Sequence, residues 1–239
     1  MKLTSLDIQN IRSALSACKV VGIELAVMTN QKIMGVNDKK DAAIISDLKL
    51  SVAQDLKIGI GRLMEFEKRL NLFPENMEAD LKVNADNEVT LITLSSGKSK
   101  MQFRCTAMSL LDKKYPQANA DVPHVVVELS KQEVSQLVKA AKGLSAENVI
   151  VKVGKNKEVR IECSDSNNDQ FVVVLEKEAS FVEQEESVVF IYSADRFTSV
   201  IDAIARDNEE ISLVIGEGGS LTADVRGHLL IIMPQATGE

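Results

Sequence analysis

Residues 129–153, LSKQEVSQLVKAAKGLSAENVIVKV, read as a capped amphipathic helix that passes directly into a strand of alternating polarity. Lys131, Lys139 and Lys142 lie along one flank of that helix, although the chain carries a formal net charge of −7. The same pattern opens the chain. A shift of 126 residues pairs Leu3 with Leu129, Thr4 with Ser130, Ile8 with Val134, Ile11 with Leu137, Ile23 with Val149, Leu25 with Val151 and Val27 with Val153. Register therefore survives a whole helix and the strand after it. A second shift, of 122 residues, pairs Val89 with Ile211, Leu91 with Leu213, Phe103 with Val225 and Arg104 with Arg226. The two halves are expected to be one fold used twice.

Between the repeats stands 112–124, DKKYPQANADVPH, with two prolines, no periodicity and mostly polar residues. It sets the expected organisation: a first domain over 1–111, a connector over 112–124 and a second domain over 125–239. In the first half, helical spacing of Ile8, Ile11, Leu15 and Cys18 predicts a helix over 5–19, capped by Thr4 or Ser5 and stopped at Gly22. Strands are expected at IELAVMT, KIMGV and AAIISDLKLSV. A second helix follows over DLKIGIGRLMEFEKRL, with Leu56, Ile60, Leu63 and Leu70 inward. The strands ADLKV, VTLITL and MQFRCTA come next, the last two joined by the turn SSGK. The corresponding helix of the second half is SADRFTSVIDAIA, capped by Ser193, with Phe197, Val200, Ile201 and Ile204 facing a sheet. Each half is thus helix, three strands, helix, three strands, with one strand leading in. The fold class is α+β, with two helices packed on antiparallel sheets in each half.

With 239 residues and 45% hydrophobic content, the chain has enough apolar mass for two cores. Acids outnumber bases 35 to 28, which argues against a basic protein that coats nucleic acid indiscriminately. Cys18, Cys105 and Cys163 are far apart and in apolar or alternating contexts, as expected of reduced buried thiols. No apolar run approaches the roughly 18 residues of a membrane span, and MKLTSLDIQN lacks an apolar block, so a soluble cytoplasmic protein is expected. Catalysis finds little support. His124 falls in the connector and His228 after a turn glycine, and both are expected at the surface. No Cys and His cluster has metal spacing, GEGGS at 216–220 reads as a hairpin turn, and GIGR at 59–62 lacks the lysine and hydroxyl of a phosphate loop. No enzyme activity, cofactor or metal is expected.

Charge is segregated by element. Residues 5–19 carry +1, 56–70 carry +2, 131–143 carry +2 and 194–206 none, so these segments hold +5 while the remainder holds −12. The acids gather at EQEE (183–186), DNEE (207–210) and SDSNND (164–169). Bases on helix surfaces are compatible with simple solvation. If the helices line one surface, that surface attracts polyanions while the rest repels them, which suits a protein holding duplex DNA in one defined place.

The opening MKLTSLDIQNIRSAL, the chain-halving DKKYPQANADVPH, the helix LSKQEVSQLVKAAKGL and the ending LLIIMPQ together resemble the sliding DNA clamps. Within them the likeness is to the short two-domain clamps of tailed bacteriophages, akin to proliferating cell nuclear antigen. The resemblance covers nearly the whole chain and is one of layout, since clamps have no catalytic signature. It implies a ring of three two-domain chains joined head to tail, sheets outside and twelve helices lining the hole. Such a ring encircles duplex DNA without reading sequence and tethers the replicative polymerase. The implied partners are duplex DNA, two further copies of the chain, the polymerase and a clamp loader, in the cytoplasm of a bacterial host if the source is a phage.

By that resemblance Arg12, Lys19, Arg62, Lys68, Arg69, Lys131, Lys139, Lys142 and Arg206 take the phosphate-facing role, with Glu65 an acid among them. MQFRCTA (with Phe103 and Cys105) and QFVVVLE (with Phe171 and Val173) match the strands that join subunits, and would otherwise be ordinary interior strands. Tyr115, Pro116, Val122, Pro123, Met233 and Pro234 match the apolar pocket that receives partner peptides, and would otherwise be a linker packed on a domain seam. A monomeric or dimeric DNA-binding replication scaffold using the same basic helices is the competing expectation. At 4% aromatic content, with no Trp, the chain has little to offer stacked bases.

Overall fold

A computed structural model of the chain describes residues 1–52, 55–111, 121–181 and 187–235. The chain divides into two compact units, Met1–Ala118 and Asn119–Glu239, and the division falls inside the 112–124 stretch. Most of that stretch, including Tyr115 and Pro116, lies outside the described residues, as does the EQEE run.

The first unit runs β1 (Lys2–Leu3), α1 (Ser5–Val20), β2 (Leu25–Thr29), β3 (Lys32–Val36), β4 (Ala42–Asp47), β5 (Lys57–Ile60), α2 (Leu63–Leu70), β6 (Glu78–Val83), β7 (Val89–Ser96), β8 (Ser99–Arg104) and α3 (Met108–Leu111). The second runs β9 (Pro123–Ser130), α4 (Lys131–Gly143), β10 (Asn148–Val153), β11 (Val159–Ser164), β12 (Gln170–Val174), β13 (Ser180–Phe181), β14 (Val188–Ser193), α5 (Ala194–Ala205), β15 (Glu210–Gly216), β16 (Leu221–Val225) and β17 (His228–Ile232). Hydrogen bonding orders the first unit as β1-β6-β7-β8 and β5-β2-β3-β4, and the second as β9-β15-β16-β17 and β14-β10-β11-β12, with β13 beyond β9. The pairings described within each unit are antiparallel, apart from one parallel bridge between Lys57 and Glu88. Apart from β13, the second unit repeats the first strand for strand.

The repeat extends to hydrogen bonds at the helix starts. Thr4 Oγ1 accepts from Asp7 N at 3.2 Å, while Asp7 Oδ2 accepts from Thr4 N and Oγ1, both at 2.8 Å. Ser130 and Glu133 form the same capping box 126 residues later, with Glu133 Oε2 accepting from Ser130 N at 2.6 Å and from Ser130 Oγ at 2.8 Å. The free oxygen of each acid then reaches a distant backbone. Asp7 Oδ1 accepts from Ser51 N at 2.7 Å, and Glu133 Oε1 accepts from Glu176 N at 2.9 Å. Both acids are buried, and each fixes its helix start to the segment after the third strand of the following sheet. Burial by itself raises the Asp7 carboxyl, but the bonds from Ser51 and Thr4 outweigh it and hold the group below its usual range.

Two sequence expectations change. The stretch 56–62 is not the first turn of a helix: Lys57–Ile60 is strand β5, paired with β2, and α2 occupies only Leu63–Leu70. Leu56, Ile60, Leu63 and Leu70 are all buried, so the core residues are as expected and the element is not. Gly59 and Gly61 explain the difference. A Cβ on Gly59 would overlap the Thr106 carbonyl oxygen, and Gly61 N donates to Thr106 Oγ1 at 2.9 Å, so the glycines admit the chain that follows β8. The second change concerns the 122-residue shift, which pairs β7 with β15 and β8 with β16. In the sheets, β7 corresponds to β16 and β8 to β17, so that pairing is one strand out of step. Alternating apolar strands look alike in any neighbouring register.

The cores follow the alternation. Inward rows such as Val149, Val151 and Val153 on β10 and Val159, Ile161 and Cys163 on β11 are buried. Helix α5 packs on strands of both sheets of its unit, and α4 packs against α5 as α1 does against α2. Among the described residues no helix is long and apolar enough to cross a membrane.

Candidate nucleic-acid interface and partner surfaces

The nine basic residues singled out from the sequence divide into three kinds. Lys68, Lys139 and Lys142 are exposed on α2 and α4 and have no ion-pair partner among the described residues. Lys19, Arg62, Arg69, Lys131 and Arg206 are at least a third exposed but each faces a carboxylate. Lys19 lies 3.9 Å from Glu67, Lys131 2.9 Å from Glu209 and Arg206 2.8 Å from Asp202. Arg62 and Arg69 share Glu65, at 3.3 and 3.1 Å.

Arg12 is of the third kind and leaves the phosphate-facing set. Its Nη2 donates to the carbonyls of Leu70 at 2.9 Å and Phe73 at 2.7 Å, so α1 uses this guanidinium to close the C-terminal end of α2. An arginine at helical spacing with other polar residues reads as exposed, and only the position of α2 reveals the two carbonyls. The helices themselves are less basic than the sequence segments. With the observed bounds, α1 carries +1, α2 none, α4 +2 and α5 −1. Lys57 moves to a strand, while Arg62 and Arg206 sit at the helix caps.

The strands expected to join subunits both end their sheets, β8 beside β7 only and β12 beside β11 only. The side chains point differently from the expectation. Phe103 is 1% exposed and packs on Phe66 with ring centroids 4.7 Å apart. Cys105 follows β8, and burial pushes its thiol up to about 12. Phe171 and Val173 pair with the buried Cys163 and Ile161 and so share the inward face, whereas Val172 and Val174 are exposed on the other. In the run FVVVL every position is apolar, so parity was not legible. The two edges differ in charge. Lys98, Lys100 and Arg104 are exposed along 98–104, which contains no acid, while Asp165, Asp169, Glu176 and Glu178 flank β12 with Lys177 alone among them.

The turn 216–220 organises the third surface. Asp121 Oδ2 accepts from Gly218 N at 2.6 Å and Ser220 Oγ at 3.3 Å, Glu217 N donates to Val122 O at 3.0 Å, and the buried Tyr192 hydroxyl donates to Gly219 O at 2.8 Å. Gly219, at φ +80°, lies between Phe190 and Pro234, either of which a Cβ there would press at 3.1 Å. Gln235 N donates to Ile191 O at 2.8 Å and lays the tail along β14. Val122 and Met233 stand exposed beside this hub. Of the proposed pocket residues, Val122, Pro123, Met233 and Pro234 are therefore anchored to one turn, and Asp121, Phe190 and Gly219 join them.

Three solved structures share this architecture. Against the sliding clamp of Bacillus subtilis the chain superposes with a TM-score of 0.68 at 12% identity, over all of this chain and 64% of that one. The fold is that of a sliding clamp. Against the PCNA2–PCNA3 complex of Sulfolobus tokodaii the TM-score is 0.64 at 12% identity, covering 99% of this chain and all of that one. Against A. fulgidus PCNA bound to the C-terminal region of FEN-1 it is 0.64 at 15% identity, covering 100% and 99%. No family model matches the sequence, and no curated protein matches it. These archaeal and bacterial clamp structures carry the fold alone and leave the phage subtype to the sequence resemblance.

The histidines separate. His124 remains part-exposed, edge-on to Phe181 at 6.1 Å, but His228 is buried at the start of β17, contrary to the surface position expected of it. The turn glycine before it starts a strand whose first residue faces the core. Burial pushes the His228 imidazole down, with Asp224 opposing. No group of three or more metal-ligating side chains occurs among the described residues.

Proposed function

We propose that this chain is a non-enzymatic DNA sliding clamp: three copies close head to tail into a ring that encircles duplex DNA and tethers a replicative polymerase. The observation that carries the reading is the clamp fold over the full length of a chain that repeats one unit twice. The oppositely charged strand edges support a heterologous junction, β8 of one copy beside β12 of the next, because two β8 edges or two β12 edges would oppose like charges.

Lys68, Lys139 and Lys142 would supply weak, sequence-blind attraction to phosphate, joined by Lys19, Arg62, Arg69, Lys131 and Arg206 when their carboxylate partners yield. A clamp requires such contacts to be weak, since retention comes from topology and base-reading contacts would impede sliding. The apolar hub around Gly219, with Val122, Met233 and Pro234, would receive a short peptide of the polymerase or of a clamp loader.

Retention on nicked circular DNA tests the topology. Protein loaded on the circle should survive a high-salt wash and leave when the circle is linearised. Loss at the same salt before and after linearisation would exclude encirclement and favour an open scaffold.

A further inference from the structure

Arg62, at the N-cap of α2, and Arg69, about two turns further on, reach the same atom, Glu65 Oε2, at 3.3 and 3.1 Å. Both guanidinium carbons also stand over one ring, that of Phe103, at 5.5 and 5.6 Å from its centroid. Phe103 cannot yield, because it is buried against Phe66. The ring holds the arginines as a fork, and the fork is already filled by an acid of its own helix. The acids described beside Lys19, Lys131 and Arg206 are Glu67, Glu209 and Asp202, one to each.

We propose that Glu65 is an internal stand-in for a DNA phosphodiester: it occupies the Arg62–Arg69 fork when DNA is absent and is displaced by the phosphate when DNA is present. This rests on the clamp reading, which puts duplex DNA against the helices. The chemistry of exchange is near balance. The carboxylate gives both guanidinium groups a single oxygen, leaving donors on each unspent, whereas a phosphodiester brings two non-bridging oxygens and one negative charge, an acceptor for each arginine. Glu65 is half exposed, so water takes it up when it leaves, and exposed pairs at three- and four-residue spacing are weak. The consequence is a phosphate contact kept shallow by an internal competitor, which shortens each stop along the duplex.

The test is equilibrium binding of the full chain to a labelled linear duplex at low ionic strength, followed by fluorescence anisotropy. Glu65→Gln should tighten binding about threefold or more and steepen its salt dependence. Glu78→Gln makes the same change in net charge on a sheet strand, where Glu78 pairs with Lys2, and should have a smaller effect. The gain from Glu65→Gln should vanish in an Arg62→Ala, Arg69→Ala background. A gain no larger than that of Glu78→Gln, or one that persists without the arginines, would overturn the proposal. Binding of every variant weakened by Lys139→Glu while Glu65→Gln stays at the wild-type level would sink this inference and leave the clamp reading standing. Binding absent in all variants, together with a monomeric mass, would remove both.

Discussion

At the scale of single residues, two buried acids and one arginine hold the helices where they are. Asp7 and Glu133 each accept bonds from their own cap and from a distant backbone N–H. Asp7→Ala should cost about 3 kcal/mol, the sum of a lost cap and an orphaned Ser51 N–H, read from the midpoint of denaturant unfolding. A cost like that of an exposed substitution would refute the clamp role of this side chain. Because the folded carboxyl is held below its unfolded value, its contribution is present above pH 3.8 and lost as pH falls through the folded value, so Asp7→Asn should flatten the acid limb of the stability curve. His228 works on a different window. Its folded value lies below the unfolded 6.5, so the unfolded chain takes the proton first and stability declines as pH drops below about 6.5, a slope His228→Gln should remove. Arg12→Ala should destabilise the first unit by about 2–3 kcal/mol through the carbonyls of Leu70 and Phe73, and should leave the salt dependence of DNA binding unchanged.

Elements show where sequence is sufficient and where it is not. Helices α1 and α4 were legible because a cap, a period and a stop agree over more than three turns, and their repeat at 126 residues survives in the atoms. Strand β5 was not, because Leu56, Ile60 and Leu63 have helical spacing while the deciding contact, Thr106 against Gly59 and Gly61, comes from 45 residues away. The candidate sites follow the same division. Exposed lysines on regular helices were readable, but Arg12 was redirected by a neighbouring helix end, and in β12 an all-apolar run hid which valines face outward. Edge charge, by contrast, is local and readable. Lys100→Glu with Arg104→Glu should reduce the assembly to smaller species, and so should Asp165→Lys with Asp169→Lys. Mixing the two variants should restore larger species, since the reversed β8 edge of one complements the reversed β12 edge of the other and the unaltered pair also remains, measured by analytical ultracentrifugation. Full assembly by either variant alone would contradict edge pairing.

The molecule as a whole is a duplicated clamp fold with a thin scatter of exposed cations on its helices. Lys68→Glu, Lys139→Glu and Lys142→Glu together should leave fold and assembly intact while shortening the products of polymerase synthesis, because these three bases have no ion-pair partner among the described residues. Everything passes through ring formation, so the mass in solution across a concentration range, by light scattering, is the most direct measurement. A species near three times 26.2 kDa is the predicted result. A persistent monomer at high concentration would contradict the ring and leave a two-unit clamp fold that acts, if on DNA, as an open scaffold.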